Sequence, residues 1–184
     1  MNNDRYVVVD KSDNIIGAKL RGAIGRDDIY RVSSIWVVVP SNGKYKVLIA
    51  QRGLDKEINP GKWQPSAAGT VEEDESYEAN AVKELGEEVG LTDVKLIPMS
   101  DKSHFHDGEH QFFSKRFVAI GDWQESDFVK QDSEVEALKL VDLDELIKDV
   151  QKNPEKYLKK FMDSLLYLKQ FLEKNHCERS KNGY

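Results

Sequence analysis

Three glutamates stand close together in the segment GTVEEDESYEANAVKELGEEVGL, residues 69–91. If the segment is helical, Glu87 and Glu88 follow Glu84 by three and four residues, and a turn of about 3.6 residues places the three carboxylates on one face. Like charges at these spacings destabilise a helix by roughly a few tenths of a kcal/mol per pair. Negative charge near the end of a helix also opposes the helix dipole. The three carboxylates therefore lower the stability of the helix, which suggests that they serve a function.

Two interpretations of these carboxylates follow from the residues alone. A run of charge usually forms a solvated face. Such a face gains stability from mixed signs, however, and Lys83 is the only cation inside the cluster. A hard cation such as Mg²⁺ relieves the repulsion, because it binds a few carboxylate oxygens together with substrate phosphates. The spacing and the sign of the charges favour a magnesium site.

The helix that carries the glutamates has recognisable ends. Asp74 or Ser76 can cap its start, and Gly90 suits the left-handed residue that follows a helix. Its predicted core face recurs at helical spacing and consists of Ala79, Val82, Leu85 and Val89. The apolar residues thus leave the centre of the carboxylate face free for a ligand.

Alternating and β-branched runs predict strands on both sides of this helix. The predicted strands are 5–10, 14–20, 32–39, 44–52, 93–100, 110–121 and 137–143. Two helices follow at 143–152 and 154–174, and a polar tail occupies 175–184. This order predicts an α+β fold with a mixed sheet, formed as a single domain by residues 1–184 with its core in about 5–145. The apolar stripe of the last helix is interpreted as a core face, with a homodimer face as the alternative.

The composition narrows the function classes. The net charge of −6 and the pI near 5.3 argue against general nucleic-acid binding, since a phosphate backbone requires a basic surface. A small phosphorylated ligand remains compatible if local cations or a metal supply positive charge. No apolar run approaches the roughly 20 residues that span a membrane, the N-terminus does not resemble a signal peptide, and Cys177 is the only cysteine. We therefore expect a cytoplasmic protein without membrane association.

The segment also resembles the signature of the Nudix hydrolase superfamily. That signature is Gly, five residues, Glu, seven residues, then Arg-Glu-apolar-any-Glu-Glu-any-Gly-apolar. The corresponding residues here are Gly69, Glu75, Lys83, Glu84, Leu85, Glu87, Glu88, Gly90 and Leu91. Only Lys83 departs, standing where the family has Arg. Lysine offers a point charge in place of a planar fork, which leaves open a weakened or specialised enzyme.

The resemblance implies an α/β/α sandwich and a role for each matching residue. Glu84, Glu87, Glu88 and the backbone carbonyl of Gly69 would bind Mg²⁺, with Mn²⁺ as a substitute. Glu75 and Lys83 would pair and orient these ligands. Glu84 or Glu134 would take the proton of the attacking water; Glu134 lies where the family often places a glutamate, in the loop before its last strand.

Two further residues are candidates for substrate contact. Arg52 ends a predicted strand and could donate to a substrate phosphate, although a surface arginine is the alternative. Trp63 follows a Pro-Gly turn and could stack on a base, although packing in the core is the alternative. Three histidines, His104, His106 and His110, have no spacing typical of a zinc site and are interpreted as loop and strand residues.

The reaction implied by the resemblance is hydrolysis of a nucleoside diphosphate linked to another moiety. Three segments, VVVDKSDNIIGAKLRGAI, VLIAQR and PGKWQPSAAGTV, resemble the branch that contains isopentenyl-diphosphate isomerases. Isomerases in that branch carry a cysteine and a histidine where this chain has Ala68 and Thr70, which disfavours isomerisation. A non-catalytic nucleotide-binding module is the other alternative, supported by Lys83 alone.

Overall fold

The computed structural model describes residues 4–99, 102–106, 109–131 and 134–181. Its strands are β1 (Arg5–Val9), β2 (Ile15–Leu20), β3 (Ile29–Ser41), β4 (Lys44–Arg52), β5 (Trp63–Gln64), β6 (Ala67–Thr70), β7 (Leu96–Pro98), β8 (Ser103–His106), β9 (Gln111–Ile120) and β10 (Val135–Asp142). Its α-helices are α1 (Tyr77–Val89), α2 (Leu143–Lys152) and α3 (Phe161–Lys181). Short 3₁₀ turns occupy Arg21–Ala23, Glu125–Asp127 and Pro154–Lys156. No helix in this described part of the chain has the length and apolar character needed to cross a membrane.

A mixed sheet is built around the long strand β3. The order β10-β4-β3-β1-β2 runs across it, while β6 also pairs with β3 and β5 with β4. Strand β9 lies parallel to β3, whereas the other pairings are antiparallel. The mixed sheet and the α+β class predicted from the sequence are confirmed.

The two faces of β3 supply two different cores. Successive side chains of a strand point to opposite faces: Ile35 and Val37 pack in the cluster with α1, and Trp36 and Val38 pack in the cluster with α2 and α3. All four side chains are 0% exposed. Helices therefore cover both faces of the sheet, as the α/β/α arrangement requires.

Helix α1 begins and ends as expected but packs on a different face. The Ser76 side chain accepts from the N–H of Ala79, and Gly90 has a φ of 77° beyond the last turn. The predicted core face is wrong for two residues, because Ala79 is exposed and Val82 is 50% exposed. The buried row has a strict four-residue spacing and consists of Tyr77, Ala81, Leu85 and Val89.

The C-terminal helix starts later than predicted and extends further. Pro154 begins a 3₁₀ turn, and α3 starts only at Phe161, because Lys160 has a φ of 65° and the N–H of Leu158 donates to the carbonyl of Trp63. The helix continues through Lys181, into the predicted polar tail. Its apolar stripe lies in the core, as expected: Phe161, Leu165, Leu168 and Leu172 are at most 3% exposed.

Two strand predictions also change. The run 93–100 contributes only the short strand β7, and β8 was not predicted as a separate strand. Strand β8 owes its conformation to pairing with β9, where Phe105 stacks on Phe112 at 4.6 Å between ring centroids. The sequence of β8 alone is too short to predict a strand, because the strand depends on its pairing with β9.

Candidate active site

A polar cleft of about 330 Å³ opens where α1 and β6 meet the ends of β1 and β4. Its acidic lining residues are Asp4, Glu72, Glu84, Glu87, Glu88 and Glu134. Its basic lining residues are Arg21, Arg52 and Lys56. Gly69 also lines the cleft. The structure thus brings together the three helix glutamates, Gly69, Arg52 and Glu134 that the sequence indicated.

The helix places its glutamates at three different depths. Glu88 is 4% exposed, Glu84 is half-buried and Glu87 is exposed. Gly69 makes the approach of Glu84 to β6 possible, since a Cβ atom at position 69 would lie 2.0 Å from the Glu84 carboxyl carbon. Only glycine leaves this space free, so the backbone of β6 and the carboxylate of α1 form one surface.

Burial and like charge make the inner carboxylates poor acids. Burial, and next the charge of Glu87, raises the pKa of Glu84 to about 7. Burial, and next the charges of Glu84 and Glu134, raises the pKa of Glu88 to about 8. In the metal-free site at neutral pH Glu88 therefore keeps its proton, because the nearby cations do not offset its burial and the neighbouring carboxylates.

Lys83 is paired with the acids around it. Its Nζ atom lies 2.7 Å from Glu72 Oε1 and 3.1 Å from Glu75 Oε1. Burial opposes the charge of Lys83, but the hydrogen bonds to Glu72 and Glu75 outweigh it and raise the pKa of the ammonium group. The expected Glu75–Lys83 pair is therefore present in the structure, and Glu72 is a partner that the sequence did not indicate.

Arginine and lysine side chains form the opposite wall. Arg52 donates to Gln64 Oε1 at 2.9 Å and to the carbonyl of Ile58 at 3.1 Å. Lys56 Nζ lies 2.6 Å from Glu134 Oε1. Sequence reasoning missed Arg21 and Lys56, because the cleft unites segments that are far apart along the chain. Within the described residues no ion pair to Arg21 is formed.

Trp63 is placed differently from the cleft residues. Its side chain packs against the core cluster under α2 and α3, and it is not among the described residues that line the cleft. This packing favours the core interpretation of Trp63 over stacking on a base. His104 stacks on Phe113 with 4.9 Å between ring centroids, and His106 also lies on β8, in line with the interpretation as strand residues.

The side chains of the cleft fit a hard divalent cation. Among the described residues, no three Asp, Glu, His or Cys side chains are arranged so that they could hold a metal by themselves. Mg²⁺ does not need such a cage, because it usually keeps several waters and binds one or two carboxylates plus substrate phosphates. Carboxylate and carbonyl oxygens are the donors that suit it, and the cleft is lined by the three helix glutamates and by Gly69.

Comparisons with known proteins identify the family of the chain. A family model described as NUDIX domain matches residues 31–161. The chain is 27% identical over 175 residues to a prenyl-diphosphate phosphatase of Methanosarcina mazei, a match covering 93% of this chain and 96% of the relative. It is 30% identical over 99 residues to an uncharacterised Nudix hydrolase of Yersinia pestis, covering 54% of this chain and only about half, 52%, of that relative.

Solved structures share the fold. A Deinococcus radiodurans protein matches with a TM-score of 0.71 at 18% identity, covering 88% of this chain and 97% of the other. The NUDIX domain of Shewanella oneidensis NrtR, solved with ADP ribose, matches with a TM-score of 0.61 at 16% identity, covering 77% and 87%. At these identities the likeness concerns the backbone arrangement alone.

Proposed function

Because the chain belongs to the Nudix hydrolase family, we propose that it is a Mg²⁺-dependent pyrophosphohydrolase that cleaves the diphosphate linkage of a nucleoside diphosphate joined to another moiety. One observation carries the proposal: the three glutamates of α1 and the cations Arg21, Arg52 and Lys56 face the same cleft. Carboxylates suit the metal, whereas guanidinium and ammonium groups suit phosphate oxygens. A diphosphate is the ligand that uses both walls.

The chain's own residues bind and orient the reactants. Glu84, Glu87, Glu88 and the Gly69 carbonyl would hold the cation, which supplies charge neutralisation and a water of lowered pKa. Arg52 presents its guanidinium beside Gln64, which in turn lies 3.5 Å from Glu88. Gln64 thereby links Arg52 to Glu88, and the guanidinium of Arg52 would suit a phosphate oxygen near the proposed cation.

Two carboxylates remain candidates for the base. Glu84 is itself one of the proposed metal ligands, so its carboxylate would lie near the attacking water and could take its proton. Glu134 lies across the cleft and is paired with Lys56. Glu134→Gln separates the two, since it retains the ligand set of α1. If Glu134 is the base, this variant should lose turnover and keep its Mg²⁺ response.

Prenyl diphosphates are the second substrate class. The relative named prenyl-diphosphate phosphatase aligns over nearly the full length of both chains. The location of Trp63 outside the lining of the cleft also removes one expected contact to a base. Ala68 and Thr70 line the cleft where an isomerase would need its cysteine and histidine. This supports hydrolysis over isomerisation of such a substrate.

The test is a substrate panel with Mg²⁺ or Mn²⁺. Nucleotide sugars, dinucleotides, nucleoside triphosphates and isoprenoid diphosphates are incubated with the protein, and the products are separated by chromatography. We expect metal-dependent hydrolysis of one class, and its abolition in Glu87→Gln but not in the control Glu155→Gln, an exposed glutamate remote from the cleft. Intact turnover in Glu87→Gln refutes the metal assignment, and tight binding without turnover under either metal supports a non-catalytic module.

A further inference from the structure

Asn80 is a buried polar side chain of α1, next to Ala81 of the buried row. It is 0% exposed and lies between the residues that pack on the sheet. Its amide oxygen is buried and has no hydrogen-bond partner. A buried polar atom without a partner costs roughly 1–3 kcal/mol. The fold bears this cost at a position where an apolar residue would satisfy the packing, which indicates that the amide has another role.

The amide nitrogen of Asn80 accounts for that role. It lies 3.3 Å from Glu84 Oε1, 3.1 Å from Glu75 Oε2 and 3.2 Å from the carbonyl oxygen of Thr70. The opposite orientation of the amide would place its oxygen against three other acceptors. The contacts therefore fix the orientation and leave the amide oxygen as the unpaired atom.

These contacts connect Glu84 to the ion pair between Lys83 and Glu75. Lys83 holds Glu75 through Oε1, and Asn80 holds the same carboxylate through Oε2. Lys83 makes its hydrogen bonds to Glu72 and Glu75, and within the described residues Glu84 accepts a side-chain hydrogen bond from Asn80 alone. The restraint on Glu84 therefore passes through Asn80.

We propose that Asn80 is a positioning residue that orients the Glu84 carboxylate against Gly69 for the divalent cation. The inference rests on the proposed metal-dependent function. Partners of this kind fix the orientation of a ligand, and their loss typically lowers metal affinity by about 10- to 100-fold. Among the described residues the hydrogen bonds of Lys83 go to Glu72 and Glu75, so the hydrogen bond that restrains Glu84 comes from Asn80.

The test is direct measurement of Mn²⁺ binding by electron paramagnetic resonance, which requires no substrate. Asn80→Ala removes the donor and opens a cavity, whereas Asn80→Leu removes the donor and keeps the branched shape of the side chain. Ser76→Ala is the control, because it destabilises the same helix at its cap without contact to Glu84. Urea unfolding of all variants reports whether they are folded.

The expected results separate positioning from a general loss of stability. We expect both Asn80 variants to bind Mn²⁺ about tenfold more weakly or worse, and Ser76→Ala to lose stability at unchanged Mn²⁺ affinity. Wild-type affinity in folded Asn80→Leu overturns the inference while the proposed function stands. An equal loss of affinity in Ser76→Ala also overturns it, since the effect then follows helix stability. Absence of Mn²⁺ binding in the wild type overturns the inference, which requires Glu84 to hold the cation without substrate, whereas the proposed function is decided by the substrate panel.

Discussion

Glu88 should make the metal-free fold less stable as the pH rises. Burial raises its pKa to about 8 in the folded state, against an ordinary value of 4.5. The folded chain therefore binds more protons than the unfolded chain between these two values. The free energy of unfolding consequently falls as the pH rises through this window. Replacing Glu88 with Gln removes the titration and should stabilise the metal-free protein.

The magnitude follows from the window. For each pH unit above 4.5, the free energy of unfolding falls by about 1.4 kcal/mol as long as Glu88 stays protonated in the folded state. Glu88 therefore costs the fold about 3 kcal/mol at pH 7 and less than about 1 kcal/mol at pH 5. With a urea dependence of about 2 kcal/mol per molar, Glu88→Gln should raise the unfolding midpoint by about 1.5 M at pH 7 and by about 0.5 M or less at pH 5.

The assay is urea unfolding in EDTA at several pH values between 5 and 8. Glu155→Gln is the control, because it removes one exposed carboxylate that does not line the cleft. A stability difference between Glu88→Gln and wild type that stays constant across this range would refute the reasoning about burial. Addition of Mg²⁺ should reverse the order, since the cation stabilises the folded wild type and the variant has lost a ligand.

Three further predictions concern the cleft and the scaffold around it. Gly69→Ala should weaken the Mg²⁺-dependent rise of the thermal midpoint, because its Cβ would displace the Glu84 carboxylate; a wild-type Mg²⁺ response would mean that this carboxylate position is not needed for the cation. Asp13→Ala should cost about 3 kcal/mol or more in urea unfolding, because the carboxylate, 1% exposed, pairs with Arg31 at 2.8 Å; a cost below about 1 kcal/mol would argue against a buried ion pair. Leu165→Ala should cost about 2–5 kcal/mol, because Leu165 is 0% exposed under the sheet; near-wild-type stability would mean that α3 is not part of the core.

The local parts of the site were readable from the sequence. A helix turn fixes which residues share a face, so the spacing of Glu84, Glu87 and Glu88 was enough to group their carboxylates. The cap at Ser76 and the left-handed Gly90 likewise depend on neighbouring residues only. The core face of α1 was less readable, because Val82 is apolar yet 50% exposed.

The remaining parts depend on contacts between distant segments. Arg21 follows β2 and Lys56 follows β4. Both residues line the cleft because the sheet brings the ends of these two strands to the same place. The start of α3 was predicted too early. Residues 154–160 have helical propensity, but the N–H of Leu158 donates to the carbonyl of Trp63 and not to a carbonyl within a helix. That same contact region holds the Trp63 side chain in the core.

The sequence by itself determined the chemistry of one cleft wall, because carboxylates at helical spacing need only a helix to converge. Tertiary structure decided the basic residues that line the same cleft and the burial that raises the pKa of Glu88. Each of these depends on which strands lie beside α1 and how much water they exclude. Charge sign and spacing are local properties of a chain, whereas burial and cross-strand partners exist only once the sheet has formed.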